Sequence, residues 1–406
     1  MGECILQYAN SNITDYVHST LGDRCPSMSI VLPSLVIYGA ILLIGVSGNV
    51  CTCIVIVANK SMHNPTNYYL FSLAVSDIMV LILGLPMELY QSVDELYPYT
   101  FGESICKLRA FLIEFTSYAS IMIICCFSVE RWLVICYPLY VKLFSTFWRA
   151  NIMIIFAWIV SFVAALPMAF IVKINRLPVP DFAVGQPWLS SVSDDGLTIV
   201  GSDFCAMDVT KPDRQKTLIY IAFFVFFMIP ALLITIMYGH IALKLYSADK
   251  SLLHGKSSDS TKRSKSNKTV LKMLISVVVT FFLCWLPFHI QRLISVVLMA
   301  DGAQNMSPVV HVVSMLVFYV SGFCYYSNSA INPILYNVLS QKYRKAFCNT
   351  ILGENLTLRI FPSFVKKNAM NYRCVESSQK HSSYRKSPPP PLVMSDRHSE
   401  SAPSDV

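Results

Sequence analysis

The sequence predicts an all-α membrane protein, a seven-transmembrane helix bundle followed by a short amphipathic eighth helix. Composition is the first reason. Of 406 residues, 54% are hydrophobic and only 14% charged, a balance too apolar for a water-soluble domain of that length. The second is that the apolar residues gather into seven runs long enough for the ~20 residues that cross a hydrocarbon core. Each run must be helical, because a lone strand would leave its backbone polar groups unsatisfied in lipid. The third is the distribution of charge. Lys60, Lys142, Arg149, the run Lys262, Arg263, Lys265, Lys268 and Lys272, and then Lys342, Arg344 and Lys345 fall on one side of the spans, which makes that side cytoplasmic. The net charge of +8 is therefore no signature of nucleic-acid binding, since these residues lie between apolar runs and not beside stacking aromatics.

Residues 1–30 read as an extracellular N-terminal segment. Met1 to Arg24 lacks the long apolar stretch of a cleavable leader, and an odd number of spans places this end outside. Asn12-Ile13-Thr14 is a glycosylation sequon there, and Asn305-Met306-Ser307 is a second; chance matches are the alternative. The membrane domain, residues 31–340, has runs beginning near Val31, Tyr68, Cys106, Asn151, Leu218, Val270 and Val309.

Polar residues inside the spans are costly in lipid and should meet in the bundle interior. Asn49 in span one, Asp77 in span two and Asn332 in span seven are such residues. Asp77 with Ser120, Asn328, Ser329 and Asn332 forms a set able to hold a sodium ion, or else a hydrogen-bonded network without one. Otherwise no cofactor is expected. Span three carries Cys106 and, 25 residues on, Arg131, a rise of ~37 Å that runs from one interface to the other. Cys106 then lies in the oxidising compartment, with Cys205 in the long loop before span five as its obvious partner. Cys4 and Cys25 offer a less supported bridge, and Cys125 and Cys126 read as small apolar fillers. Prolines 86, 167, 230, 287 and 333 punctuate five spans and make kinks possible.

Residues 341–352 have apolar residues at helical spacing with Lys342, Arg344 and Lys345 toward the headgroups, so a helix on the membrane surface is expected. Cys348 at its end suits either palmitoylation or simple burial. The loop Ala248 to Asn267 and the tail 353–406 are Ser-rich and should be disordered. Phosphate on the tail serines would turn a positive segment negative, and Ser404-Asp405-Val406 suits a PDZ domain.

At this point the motifs resemble a family. Gly48-Asn49-Val50, Leu73 to Asp77, the Cys106 and Cys205 pair, Glu130-Arg131-Trp132, Trp158, Pro230 with Tyr238, Phe281 to Pro287, and Asn332 to Tyr336 together resemble the rhodopsin-like G protein-coupled receptors over Pro33 to Leu352. The resemblance implies a plasma-membrane receptor with an activation switch of Ile121, Pro230, Phe281, Trp285, Asn332, Tyr238 and Tyr336. It also implies a gate at Glu130 and Arg131 where span six swings outward to admit a heterotrimeric G protein. Glu-Arg-Trp replaces the family's usual Asp-Arg-Tyr and Asn267 is no acid, so a latch from Arg131 to span six is not expected; Glu130 is expected to hold Arg131 instead. Pro86 to Tyr90, Glu114 and Phe288 to Arg292 resemble the neuromedin U and pyrokinin receptor group. Its members bind amidated neuropeptides with an arginine near the C-terminus and signal largely through G proteins of the q class, hence through calcium.

The outer pocket can be read from spacing. Glu88 lies 11 residues after Asp77, almost three helical turns, so the two share a face ~16 Å apart. Glu114 is two turns below Cys106, and Trp285, His289 and Arg292 form one i, i+4, i+7 stripe. Glu88 and Glu114 suit a ligand guanidinium, with Arg292 on a ligand carbonyl or acid and His289 on the amide terminus. The alternatives are that Arg292 pairs with one of the two acids inside the protein, and that His289 only packs. Acidic residues on the outer side, among them Asp94, Glu95, Asp203 and Asp208, would attract a cationic ligand.

Other classes fit less well. An opsin needs a span-seven lysine, absent from Ser307 to Gln341, and an amine receptor needs an acid where Ile113 stands. Another peptide or a lipid-like ligand is the nearer alternative. A transporter would show inverted half-repeats, and an enzyme would show a catalytic constellation such as HExxH or GxSxG; neither is present.

Overall fold

The computed structural model describes residues 11–141, 146–184, 191–252, 258–301 and 308–353. Cys4, the second sequon at Asn305, the tail serines and the C-terminal motif lie outside the described residues, as does the side chain of Asn267. The chain divides into units Met1–Ile351 and Leu352–Val406; all but the first two residues of the second lie outside the described part.

Nearly everything described is helix: α1 (Ser11–Leu21), α2 (Met28–Ala58), α3 (Pro65–Leu83), α4 (Leu85–Gln91), α5 (Glu103–Cys136), α6 (Pro138–Val141), α7 (Thr146–Ile171), α8 (Pro212–Phe223), α9 (Ile229–Leu252), α10 (Ser258–Asp301), α11 (Pro308–Leu339) and α12 (Gln341–Phe347). Six segments, α2, α3 with α4, α5, α7, α8 with α9, and α10, contain stretches long and apolar enough to cross a membrane. The seventh, α11, is more polar because it faces neighbours: Ser321, Asn328, Ser329 and Asn332 on it are buried. The opposite pattern holds on the bundle's outside, where Leu32, Phe170, Ile236, Leu243 and Leu316 are exposed, as lipid-facing positions should be. The all-α membrane fold expected from the sequence is what forms.

Local chemistry explains the helix ends and breaks. Asn64 caps α3 by accepting from Asn67 N at 3.1 Å, with Pro65 in the first turn, where its missing N–H costs nothing. The second span breaks between Leu83 and Leu85, next to Pro86. The fifth contains a π-helical turn, Phe224–Met228, just before Pro230. Pro230 cannot donate to Phe226 O, and the wider turn, with Ile229 N bonding Phe224 O, absorbs that loss. Close approach of α2 to the bundle needs glycine: a Cβ on Gly45 would stand 2.5 Å from Leu81 Cδ1, and one on Gly48 2.9 Å from Pro333 Cβ.

One end of the bundle is covered. Strands β1 (Val172–Asn175) and β2 (Phe204–Met207) pair antiparallel with Ile174 opposite Cys205, and Cys205 is disulfide-bonded to Cys106 on α5, as expected. Over this hairpin lies an element the sequence reading did not foresee. Ile13 and Val17, one turn apart on α1, are fully buried with Tyr97, Leu177 and Ile199 in a small separate core. Hydrogen bonds to backbone carbonyls secure it: Arg24 Nε donates to Tyr97 O at 3.0 Å, Tyr97 Oη to Gly22 O at 3.0 Å, and Leu96 N to Arg24 O at 2.8 Å. Cys25 is disulfide-bonded. Asn12 is exposed on α1.

At the other end, Ser340 caps α12 by accepting from Tyr343 N at 3.2 Å. Tyr343 Oη donates to Thr52 Oγ1 at 2.8 Å and Asn59 Nδ2 to Thr350 Oγ1 at 2.7 Å, so α12 and the π-helical turn after it pack on the foot of α2. Cys348 there is buried.

Candidate ligand site and switch

At the disulfide end, α5 presents its polar residues to two neighbours. Arg109, one turn below Cys106, ion-pairs through Nη2 with Glu88 Oε1 on α4 at 2.5 Å. Glu114, five residues and ~7.5 Å further along, receives Nη1 of Arg292 on α10 at 2.5 Å. Glu114 is buried and Arg292 nearly so, with side-chain exposures of 7% and 11%. Tyr118 neighbours the Glu114–Arg292 pair, and Tyr325 on α11 lies within electrostatic reach of both carboxylates. The acids thus belong to one region, but each is already held by a guanidinium of the protein. The sequence reading had left open that Arg292 pairs internally; it does, and the role of Arg109 was not anticipated.

Aromatic rings floor this region. Arg292 lies over the Phe288 ring at 5.4 Å, Phe288 stacks on Tyr325 at 4.8 Å, and Trp285 meets Tyr325 edge-on at 5.6 Å. Ser117 Oγ is 2.5 Å from Tyr325 Oη. His289 stacks against Phe227 at 4.9 Å. Among the described residues, His289 Nε2, Trp285 Nε1, Arg109 Nε and Tyr99 Oη are buried without a hydrogen-bond partner, and such groups are costly unless something else satisfies them.

Below lies the packed layer. Phe281 stacks on Phe227 at 5.9 Å, and Ile121, Phe281 and Trp285 are all buried; Pro230 follows the π-helical turn. Deeper still, fully buried Asp77 accepts from Ser329 Oγ at 3.0 Å and Asn332 Nδ2 at 2.8 Å. Ser120 donates to Ser76 Oγ at 3.0 Å rather than to Asp77, and Asn328 is buried nearby. Asn49 Nδ2 bonds Ser329 O at 2.8 Å, so spans one, two and seven meet as their buried polar residues required. A carboxylate bonded only to neutral donors fits a small cation. Between Asn332, Phe281 and Tyr336 a cavity of about 30 Å³ has room for roughly one or two waters.

At the far end of α5 the carboxylate of Glu130 is engaged by Arg149 on α7, with Nε to Oε2 at 3.0 Å and Nη2 to Oε1 at 2.7 Å. Glu130 still acts on Arg131 as a neighbouring charge, but the direct bonds to its carboxylate come from Arg149. The two-pronged guanidinium of Arg149 takes both oxygens, and Arg131 instead rests over the Phe127 ring at 5.2 Å. Trp132 Nε1 donates to His240 Nδ1 at 3.0 Å. Tyr238 Oη accepts from Ser128 Oγ at 2.9 Å, and Tyr336 is buried 6.0 Å from the Tyr343 ring.

Residues 48–336 match the family described as 7 transmembrane receptor, rhodopsin family. Over 379 residues the chain is 62% identical to a neuromedin U receptor homolog of Caenorhabditis elegans, covering 93% of this chain and 94% of that one. It is 37% identical over 350 residues to neuromedin-U receptor 2 of Rattus norvegicus (86% and 81% covered). With the pyrokinin-1 receptor of Drosophila melanogaster it shares 34% over 386 residues (83% and 84%).

Proposed function

The chain belongs to the rhodopsin family of seven-transmembrane receptors and is not an enzyme, and from that premise we propose that it receives an amidated neuropeptide of the neuromedin U or pyrokinin type. In this reading it sits in the plasma membrane with the disulfide end outside and couples to a heterotrimeric G protein of the q class, raising calcium. The names of the relatives support the ligand class. The observation that carries the site is the pair Glu114–Arg292 beside Glu88–Arg109: two carboxylates already shaped to a guanidinium.

The ligand arginine enters by exchange. It takes the place of Arg292 on Glu114, beside Glu88, and the displaced Arg292 turns to a carbonyl or carboxylate of the peptide. His289, with its open Nε2, takes the terminal amide. Because Arg292 rides on α10 and Glu114 on α5, exchange alters the tie between those helices, almost two turns above Trp285. The peptide shifts the equilibrium only by its difference in affinity for the two arrangements. Movement of α10 then passes through Phe281 and Tyr238 to the end holding Arg131, Glu130 and Tyr336.

Sodium at Asp77, with hydroxyls of Ser120 and Ser329 and amides of Asn328 and Asn332 around it, would favour the resting arrangement. The tail serves kinase, arrestin and PDZ partners on composition alone, and the surface helix and the sugar at Asn12 belong to the same reading. The test is intracellular calcium in cells expressing the receptor, titrated with amidated peptides ending in Pro-Arg-X. A saturable response supports the proposal, and none from receptor verified at the surface rejects the ligand class.

A further inference from the structure

The described residues contain a second cavity that the peptide site does not use. It has a volume of about 410 Å³ and lies between the last turn of α7 and the first turns of α8, under the end of the β hairpin. Its lower wall is apolar, made by Pro167, Phe170 and Leu218, and Phe170 is 83% exposed. Both α7 and α8 with α9 are long and apolar enough to cross a membrane, and a ring at the last turn of α7 falls near the boundary between acyl chains and headgroups.

The upper rim is charged. Asp208 is buried and shared by Lys173 Nζ at 2.8 Å and Lys211 Nζ at 3.2 Å. Two ammonium groups on one carboxylate leave a local excess of positive charge. Arg214 adds to it, exposed on the rim and with no carboxylate at ion-pair distance among the described residues. Asp213 stands next to Arg214 at the start of α8. An apolar wall ending in cations at the level where a span begins is the arrangement that meets a lipid phosphate above an acyl chain.

We propose that this cleft is a phospholipid site. The phosphate lies against Arg214 and Lys211, one acyl chain runs down Phe170 and Leu218, and the amine of a zwitterionic headgroup faces Asp213. A soluble anion would satisfy the rim but leave Phe170 uncovered, and a sterol would cover Phe170 but leave Arg214 without a counter-charge. The site is outside the bundle and independent of the peptide reading.

The test uses the full chain extracted in detergent from membranes, with the phospholipid that stays bound counted by native mass spectrometry. Arg214→Gln and Phe170→Ala should each reduce the retained phospholipid at least threefold, while Phe156→Ala, an exposed ring almost four turns earlier on α7, leaves it unchanged. Equal retention in all four proteins would overturn the proposal. So would displacement of the lipid by glycerophosphocholine, which has the headgroup but no chains. As a second reading that leaves rim and wall intact, a photo-crosslinker placed at Thr217, which also lines the cleft, should capture phospholipid in intact membranes; capture of protein alone would contradict the site.

Discussion

Arg292 on α10 donates to Glu114 on α5 at 2.5 Å, with both side chains nearly out of reach of solvent. Two spanning helices are thus tied by a charge pair that, in the proposed exchange, the ligand arginine replaces.

Removing one partner leaves the other charge buried and alone, which costs about 3–5 kcal/mol. Arg292→Ala should therefore lower the thermal midpoint of the purified receptor markedly. Arg292→Met combined with Glu114→Gln, which removes both charges, should recover most of the loss. A double variant as unstable as Arg292→Ala would show that the pair is not the cause.

The Glu130–Arg149 pair predicts a difference between lysine and alanine. Arg149→Lys keeps the charge but loses the two-pronged bond, so its unfolding midpoint should fall between wild type and Arg149→Ala, the latter lower by about 3 kcal/mol of stability. If both variants match wild type, Glu130 is not held as described.

The small core under α1 predicts a local effect. Ile13→Asp places an unpaired carboxylate among Tyr97, Leu177 and Ile199, and should release α1. Hydrogen exchange should then quicken in α1 and around Leu177 and Ile199 while the spanning helices keep their protection. Unchanged exchange in those segments would contradict the docking.

Much of this was legible beforehand, and the gaps have physical reasons. The i, i+4, i+7 stripe of Trp285, His289 and Arg292 and the depth of Glu114 follow from helical periodicity, which is why Glu88 and Glu114 fall in one region. Which guanidinium reaches which carboxylate depends on the rotation of α4 beyond the break at Gly84 to Pro86, and spacing along one helix does not contain that angle. Arg109 was missed for this reason and Arg149 for a related one, since its contact joins helices distant in sequence. Helix α1 escaped because its apolar side is only Ile13 and Val17; it needs the loops beneath it to be a helix worth burying. The π-helical turn at Phe224–Met228 changes no residue type, although Pro230 marked the place.

The cover has a pH signature. Hydrogen bonds from Lys173 and then Thr210 hold the Asp208 carboxyl well below the usual carboxylate range. A depressed folded value means its contribution is complete above the unfolded value of about 3.9 and is lost only as pH falls through the folded one. Hydrogen exchange in the hairpin should be the same at pH 7 and pH 5 apart from the intrinsic rate, and Asp208→Asn should raise it at both. A hairpin that loosens between pH 7 and pH 5 would point to a different titrating group.

The central claim is that Glu114 meets the arginine of the ligand, and a double-mutant cycle across the two molecules tests it most directly. Potency is measured for wild type and Glu114→Gln, each with an amidated Pro-Arg-X peptide and with the same peptide carrying citrulline for arginine. The account predicts that citrulline and Glu114→Gln each cost tenfold or more, and that together they cost little more than either alone, a coupling of at least about 1.4 kcal/mol. Independent, additive losses would place the ligand arginine elsewhere and contradict the account.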